Sequence, residues 1–259
     1  MPRKLRVRPA VWRGALSLLS AAVLWEVVAR YVIKSPLFFA PLSAVLSAMF
    51  KMWSAGTLQN DVMVSLETFV VGFTAASIAA VLVGVIMASS EWLRDFIDPW
   101  ISAMYATPFI ALAPLFTLWF GIGLLAHSAV VFVVVFFPVL INTFAGLTTT
   151  DAVLIEVIRS FNASNWQVFA KVRFPAAVPF IITGLRLGVA RGLVGVVVAE
   201  MFGSSAGIGY RILVSGQAFD TASLFVGILL LAIAGVVGVE LLKFVERQLA
   251  PWRFQEKSE

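Results

Sequence analysis

The chain has 259 residues, of which 61% are hydrophobic and only 13% are charged, and its mean hydropathy is +0.98. Soluble domains average about 45–50% apolar and about 25% charged residues, so this composition excludes a soluble single-domain enzyme, a disordered tail and a collagen-like fibre. Cysteine is absent, which excludes disulfides, zinc–thiolate sites, iron–sulfur clusters and a cysteine nucleophile in this chain. The composition is that of a multi-span membrane protein.

Runs without charged residues predict the membrane spans. Residues 99–150 contain no Asp, Glu, Lys or Arg, which is long enough for two helices of about 20 residues. Uncharged runs at 68–90 and 221–239 each suffice for one span. Two other apolar segments contain a few charges, and in the first of them Glu26 and Arg30 have the i,i+4 spacing of a helical ion pair. We therefore predict an all-α membrane protein with six transmembrane helices in a single domain, residues 1–259. The predicted spans are 14–33, 62–89, 98–120, 125–147, 180–202 and 222–243.

The distribution of basic residues predicts the orientation. Placing the N-terminus inside puts most of the 19 lysines and arginines on the cytoplasmic side, so the positive-inside rule predicts that both termini are cytoplasmic. The orientation then explains the pI of about 9.9, so no nucleic-acid partner is needed to account for it. The basic N-terminal segment is also typical of a secretory signal, but the apolar stretch after it is long and contains Glu26, so we predict an uncleaved first span.

Between the first two spans, residues 36–61 contain an apolar stripe with helical spacing. This pattern predicts a helix that lies in the outer membrane interface, or that serves only as an anchor between the spans. The stripe consists of Leu42, Val45, Leu46, Met49, Phe50 and Trp53.

The cytoplasmic segment between the fourth and fifth predicted spans, residues 148–179, has the capping signals of two helices; we refer to it as the coupling loop. Asp151 is a candidate N-cap for a helix over 152–161. Asn162, a residue tolerated in the left-handed conformation, is expected to stop that helix. A simple connecting loop is the alternative interpretation.

A second helix is predicted to begin at Ser164, because Gln167 completes the capping box S-x-x-Q. Pro175 and Pro179 are expected to end this helix and to lead the chain back into the membrane. Capping signals at both helices favour a rigid element that contacts another protein, since an idle loop needs none.

The fifth span contains two unusual features. Gly184, Gly188 and Gly192 form a GxxxGxxxG ridge, which predicts close packing against a neighbouring span or against a second copy of the chain. Arg191 lies about 7–8 Å deeper in the span than Arg186. A charge at that depth is costly and normally faces a bundle interior or a water-filled cavity.

Two roles are open for Arg191. It could attract an anionic substrate, or it could form a structural ion pair with Glu67, Glu200 or Glu240. Glu200 is also a candidate for the substrate path.

Weaker candidates lie in the third and fourth spans. Pro108 and Pro114 each remove a backbone hydrogen bond, and kinked backbone at membrane depth is tolerated where it lines a cavity or packs in protein. Thr107 and Asn142 are candidate polar contacts along the substrate path. The single histidine, His127, has no second candidate metal ligand near it in the sequence. The Gly-rich segment 203–212 is interpreted as an outer turn or as a gate that faces an external binding protein.

The coupling loop matches a known family. The run EVIRSFNASNWQVFAKVRFP, residues 156–175, resembles the EAA loop of permease subunits of ATP-binding-cassette (ABC) importers. The similarity extends over residues 36–253, through PWISAMYATPFIALAPLFTLWFGIG, FFPVLINTFAG, PFIITGLRLG and VVAEMFGSSAGIGY, and is closest to the nitrate/sulfonate/taurine branch. Where the family prefers Ala-Ala this chain has Val157-Ile158, and where it prefers Gly this chain has Asn162.

The resemblance implies the type I (MetI-like) permease architecture in the bacterial inner membrane and import of a small, anionic solute. It implies that Glu156 pairs with an Arg of a cytoplasmic ATPase, with Val157, Ile158 and Phe161 forming the apolar side of the docking element. Asn162 and Pro175 are the other residues assigned to this element.

The partners implied are a second copy of the permease, two cytoplasmic ATP-binding subunits, a periplasmic or lipid-anchored substrate-binding protein, the small-molecule substrate and membrane lipid, without nucleic acid. No cofactor, metal site or catalytic residue is expected, and no G-x-x-x-x-G-K-[ST] nucleotide motif is present in the chain.

The sequence gives less support to two other function classes. An ion-driven secondary transporter would be expected to have repeated halves with broken helices at matching positions, and no such repeat is visible in the sequence. A membrane-embedded enzyme needs a cluster of His, Asp or Glu at the membrane face, and the sequence supplies only one histidine and scattered acids.

Overall fold

The computed structural model describes residues 9–251, with side chains from residue 12 onward, and every regular element in that part of the chain is helical. This confirms the predicted all-α class. The α-helices are α1 (Pro9–Val27), α2 (Leu42–Ser54), α3 (Thr57–Ser89), α4 (Glu91–Ala106), α5 (Ala113–Phe120), α6 (Leu124–Thr148), α7 (Ala152–Ser160), α8 (Asn165–Val168), α9 (Phe174–Met201), α10 (Ile208–Gln217) and α11 (Thr221–Leu249).

Five helical segments of the described chain are long and apolar enough to cross a membrane, or up to six if one bent pair counts as a single span. This number is compatible with the six spans predicted from the sequence. The five segments are Trp12–Ile33, Thr57–Ser89, Leu124–Thr148, Asn165–Met201 and Thr221–Leu249.

The bent pair lies where the third span was predicted. Glu91–Ala106 and Phe109–Phe120 meet at an angle of 76°. Thr107 has an extended backbone at the break because the ring of Pro108 disfavours a helical conformation in the residue before it. The expectation that Pro114 also removes a backbone hydrogen bond is wrong, since Pro114 occupies the first turn of α5, where its N–H would have no partner in the helix.

The helix that leads from the coupling loop into the fifth span is continuous. Pro175 and Pro179 were expected to end the second helix of the loop, but helical structure runs unbroken over Asn165–Met201. A π-helical turn, Phe169–Arg173, ends two residues before Pro175, which lies in the first turn of α9. The turn shifts the backbone pairing by one residue and so accommodates Pro175, and Pro179 lies inside α9 without breaking it.

The described chain divides into two compact units. One runs to Asp61 and includes Arg211–Leu230; the other comprises Val62–Tyr210 and the residues from Leu231 onward.

In the first unit, three aromatic rings form a cluster. Trp25, Phe39 and Phe225 have ring centroids 5.2–5.7 Å apart, two of the three pairs meeting edge to face. The indole N–H of Trp25 donates to the carbonyl oxygen of Ala40 at 2.9 Å. The cluster therefore fixes α1, the start of α2 and the start of α11 relative to one another.

Two acidic residues of the first unit form ion pairs. The predicted Glu26–Arg30 ion pair is confirmed at 2.6 Å, and the hydroxyl of Ser43, on α2, donates to the same carboxylate at 2.8 Å. Asp61 is almost fully buried, and Arg211 lies 2.7 Å from its carboxylate. These contacts provide hydrogen-bond donors for the carboxylates of Glu26 and Asp61.

The predicted helix between the first two spans is confirmed as α2. Val45 is its one fully buried residue, whereas Leu46, Phe50 and Trp53 of the predicted stripe are exposed. Its position at the membrane interface stays a prediction.

In the second unit, α6 provides much of the core. Val131, Val135 and Val139 are fully buried on α6. A Cβ added to Gly72 on α3 would lie 2.7 Å from the carbonyl oxygen of Ser128, so the backbones of α3 and α6 are in close contact. This packing supplies the rigid support on which the candidate functional residues lie.

Candidate functional site

The first helix of the coupling loop is capped as predicted. Asp151 precedes α7, and its Oδ1 accepts a hydrogen bond from the backbone N–H of Val153 at 2.9 Å. Such a bond satisfies one of the four N–H groups that a helix leaves unpaired at its start. The predicted left-handed stop is also confirmed, because Asn162 has φ = +61°.

The second helix of the coupling loop begins with the predicted capping box. The backbone N–H of Gln167 donates to the hydroxyl of Ser164 at 3.3 Å, and the backbone N–H of Ser164 donates to Oε1 of Gln167 at 2.8 Å. Since both bonds are present, the start of α8 is capped by side chains, as the start of α7 is by Asp151.

The first helix of the coupling loop exposes one carboxylate and several apolar side chains. Glu156 and Val157 are exposed on α7, Ile158 is half-buried, and the side chain of Phe161 is 81% exposed. These exposed side chains are the ones that the resemblance assigns to the docking element. Pro175 does not belong to this surface but lies partly buried at the start of α9.

A cavity of about 570 Å³ lies beneath the coupling loop, and the sequence did not predict it. Arg159 and Arg173 line it, and Nε of Arg173 is buried without a hydrogen-bond partner among the described residues. In the sequence these arginines were only part of the positive-inside count, so no signal marked the cavity. The remaining lining residues are Val85, Ala88, Ser89, Leu147, Asn165, Trp166, Val168 and Phe169.

The glycine ridge of the fifth span packs within the chain. A Cβ added to Gly184 would lie 3.0 Å from the carbonyl oxygen of Pro138, on α6. Added Cβ atoms on Gly188 and Gly192 would lie 3.0–3.1 Å from side-chain atoms of Val135 on the same helix. Of the two partners left open for the ridge, the structure thus places the neighbouring span against it.

The four candidate residues of the substrate path differ in their surroundings. Arg191 is exposed on α9 and has no ion pair within the described part of the chain, so none of its three candidate acidic partners contacts it. Thr107 is exposed and donates to the carbonyl oxygen of Ala103 at 3.0 Å. Asn142 is half-buried and donates to the carbonyl oxygen of Pro138 at 2.8 Å.

Glu200, the fourth candidate, is fully buried. Its carboxylate accepts hydrogen bonds from the hydroxyl of Ser65 and from the backbone N–H of Gly209, both at 2.7 Å. Sequence reasoning missed Ser65, which lies 135 residues away along the chain. Glu200 is therefore engaged inside the protein, whereas Arg191 is exposed and forms no ion pair among the described residues.

Another buried ion pair links α9 to α11. The guanidinium of Arg186 contacts the carboxylate of Glu246, which is nearly fully buried. Nε of the same guanidinium group is buried without a hydrogen-bond partner in the described chain. The pair was not predicted, because Arg186 was counted only as a topological charge.

The described chain is all-helical, with several helices of membrane length and a doubly capped loop that exposes Glu156 and Phe161. These are features of a transporter membrane subunit. The chain belongs to the family of binding-protein-dependent transport system inner membrane components, whose family model matches residues 80–253.

Curated relatives cover most of the chain. SsuC of Bacillus subtilis, named as an aliphatic sulfonates transport permease protein, is 32% identical over 93% of this chain and 88% of its own length. TauC of Escherichia coli, the taurine transport system permease protein, is 31% identical over 96% of both chains. RibX of Chloroflexus aurantiacus, a riboflavin transport system permease protein, is 34% identical over 84% of this chain and 81% of its own.

The chain is accordingly a multi-pass inner-membrane permease subunit of an ABC importer, a transport component that works with an ATPase and a substrate-binding protein. The resemblance noted in the sequence is confirmed. The family gives no support to an ion-driven secondary transporter.

Proposed function

We propose that two copies of this chain form the membrane path of an importer for a small organic anion of the sulfonate type, with two cytoplasmic ATP-binding subunits and an external binding protein. The observation that carries this proposal is the capped coupling loop with its exposed Glu156 and Phe161. In this arrangement the loop and both chain termini are cytoplasmic, in agreement with the distribution of basic residues.

Glu156 is the residue through which ATP hydrolysis is coupled to the permease. Its carboxylate pairs with a basic residue of the ATPase, and Val157, Ile158 and Phe161 pack into the surrounding cleft. The caps at Asp151 and at Ser164 support this role, because a stiff loop transmits a displacement that a flexible loop would absorb. ATP is bound and hydrolysed on the separate subunit, consistent with the lack of a nucleotide motif in this chain.

Arg191 is the residue that attracts the substrate. It is exposed and unpaired within the described chain, on a helix that is long enough to span the membrane. A guanidinium in such a segment usually faces a water-filled path, and it forms strong, charge-assisted hydrogen bonds with anionic oxygens. Together with Thr107 and Asn142 it would line the path between the two copies. Sulfonates fit this chemistry, and two of the named relatives carry such substrates in their names.

The substrate class is tested with the complex of permease, ATPase and cognate binding protein in liposomes. Taurine and ethanesulfonate are expected to be imported in an ATP-dependent manner, whereas riboflavin, which has no sulfonate group, is not. Import of riboflavin alone would overturn the sulfonate assignment. Purification of the tagged permease without any ATPase subunit would contradict the importer architecture itself.

Replacing Arg191 with glutamine is expected to raise the KM for the imported sulfonate by about 10- to 100-fold. Hydrogen bonds to charged groups contribute about 1.5–3 kcal/mol, and 1.4 kcal/mol corresponds to a factor of ten. Initial uptake rates over a concentration series measure this change. Lys51→Gln, an exposed cation on α2, is the matched control and is expected to leave KM unchanged. An unchanged KM in Arg191→Gln contradicts the substrate role.

A further inference from the structure

Glu200 is a fully buried carboxylate in the last turn of α9. The hydroxyl of Ser65, on α3, lies 2.7 Å from one of its oxygens and 2.9 Å from the other, and the backbone N–H of Gly209 donates to Oε2 at 2.7 Å. A carboxylate removed from water needs such donors, since an unsatisfied buried charge is very unfavourable. Glu200 thus binds two other elements of the chain at one point.

The backbone N–H groups that donate to Ser65 and Glu200 belong to the start of α10. The backbone N–H of Ile208, the first residue of α10, donates to the hydroxyl of Ser65 at 2.8 Å. The first N–H groups of a helix have no partner within the helix, and they carry the positive end of its dipole. Glu200 and Ser65 therefore cap α10 from two different helices, and the negative charge of Glu200 is located where the dipole favours it.

Two glycines allow this close approach. Gly207 has φ = +114°, and a Cβ at this position would lie 2.5 Å from the carboxylate of Glu200. A Cβ on Gly209 would lie 2.5 Å from the carbonyl oxygen of Val197, on α9. The start of α10 is therefore held directly against the last turns of α9, with no room for a side chain between them.

The segment between the two helices, Gly203–Gly207, is held at its other end as well; we refer to it as the α9–α10 loop. Nε2 of His127, which is buried on α6, lies 3.2 Å from the carbonyl oxygen of Gly203. His127 thus fixes the beginning of the loop and Glu200 fixes its end. Ser205, between these two points, is exposed.

The helix whose last turn contains Glu200 begins in the coupling loop. Helical structure is continuous for 37 residues over Asn165–Met201, a length of about 55 Å. We propose that Glu200 is a positioning residue of transport, which makes the α9–α10 loop move with α9 when the ATPase displaces the coupling loop. This inference rests on the proposed coupling function of the loop, and it assigns Glu200 to the transmission of movement instead of to substrate contact.

A single introduced cysteine can report this movement, because the chain has none of its own. Ser205→Cys places a thiol on the exposed α9–α10 loop. The complex with its ATPase subunits is placed in nanodiscs, and the rate of maleimide labelling of the permease band is measured without nucleotide and with ATP and vanadate. With Glu200 intact, we expect the labelling rate to change at least threefold between the two states.

Glu200→Gln in the Ser205→Cys background is expected to lose this nucleotide dependence. Glutamine keeps the shape of the side chain but is neutral and has only one acceptor oxygen, so the charge-assisted hydrogen bonds that hold Ser65 and Gly209 to Glu200 are lost. Glu67→Gln, an exposed carboxylate on α3 two residues from Ser65, is the matched control and is expected to label like the parent. Ser65→Ala removes one hydrogen-bond donor and leaves the charge of Glu200, so it is expected to lose part of the nucleotide dependence. It replaces Glu200→Gln as the test variant if Glu200→Gln fails to fold.

The outcomes are distinguishable. Retained nucleotide dependence in Glu200→Gln or in Ser65→Ala, with the ATPase still bound, overturns the positioning role. A labelling rate that does not respond to nucleotide in the parent overturns it too, because the loop then does not follow the ATPase. Loss of the ATPase from the parent complex would instead contradict the proposed function of the coupling loop.

Discussion

A Glu156→Lys variant is expected to lose at least nine-tenths of its substrate uptake while it is inserted in the membrane at the normal level. The substitution replaces the exposed carboxylate of α7 with a cation, which repels the basic residue proposed to receive it. Removing one partner of a close charge pair at an interface costs about 2–5 kcal/mol, which corresponds to at least a tenfold loss of affinity. Uptake by cells or proteoliposomes measures the effect.

The amount of ATPase that copurifies with the permease separates loss of docking from loss of folding. Asp98→Lys makes the same change of charge on an exposed residue of α4 and is expected to transport and to retain the ATPase like the wild type. If Glu156→Lys imports substrate at the wild-type rate, the assignment of the coupling residue is wrong. If the ATPase remains bound but transport stops, Glu156 acts after docking.

The largest loss of stability is expected for Glu246→Ala. Glu246 is nearly fully buried and pairs with Arg186, so alanine leaves a partly buried guanidinium without its carboxylate. Removing one member of a buried ion pair costs about 3–5 kcal/mol. For a chain of this size the midpoint of thermal unfolding in detergent should fall by roughly 10 °C.

The double variant Arg186→Met/Glu246→Leu provides the control for this prediction. It removes both charges and keeps apolar volume between α9 and α11, and such replacements are often neutral or stabilising. We expect its unfolding midpoint to lie within about 3 °C of the wild type. If Glu246→Ala alone also has an unfolding midpoint within about 3 °C of the wild type, water or another group already compensates the charge of Arg186.

Features that depend on neighbouring residues could be predicted from the sequence. The N-cap of Asp151, the capping box of Ser164 and Gln167, and the left-handed Asn162 each involve partners no more than three residues away, and all three are confirmed. The Glu26–Arg30 pair, whose members are four residues apart, is confirmed as well. Span number followed from the lengths of the uncharged runs, because the bilayer thickness fixes the length of a crossing helix.

Contacts between distant residues could not be predicted. Ser65 and Glu200 are 135 residues apart, and nothing in either segment identifies the other as its partner. Charge alone therefore places Glu200 with the substrate path in the sequence, although its carboxylate is engaged by α3 and α10. The prolines illustrate a second limit: Pro108 breaks its helix, whereas Pro175 and Pro179 do not, and no local pattern in the sequence distinguishes them.

The Arg186–Glu246 pair has a consequence for the biosynthesis of the chain. The ribosome makes Arg186 sixty residues before Glu246, so the cation enters the membrane protein before its partner exists. Until α11 has been synthesised, Arg186 depends on lipid headgroups and water for its solvation. The ion pair between α9 and α11 can therefore close only after the last long helix of the described chain has been made.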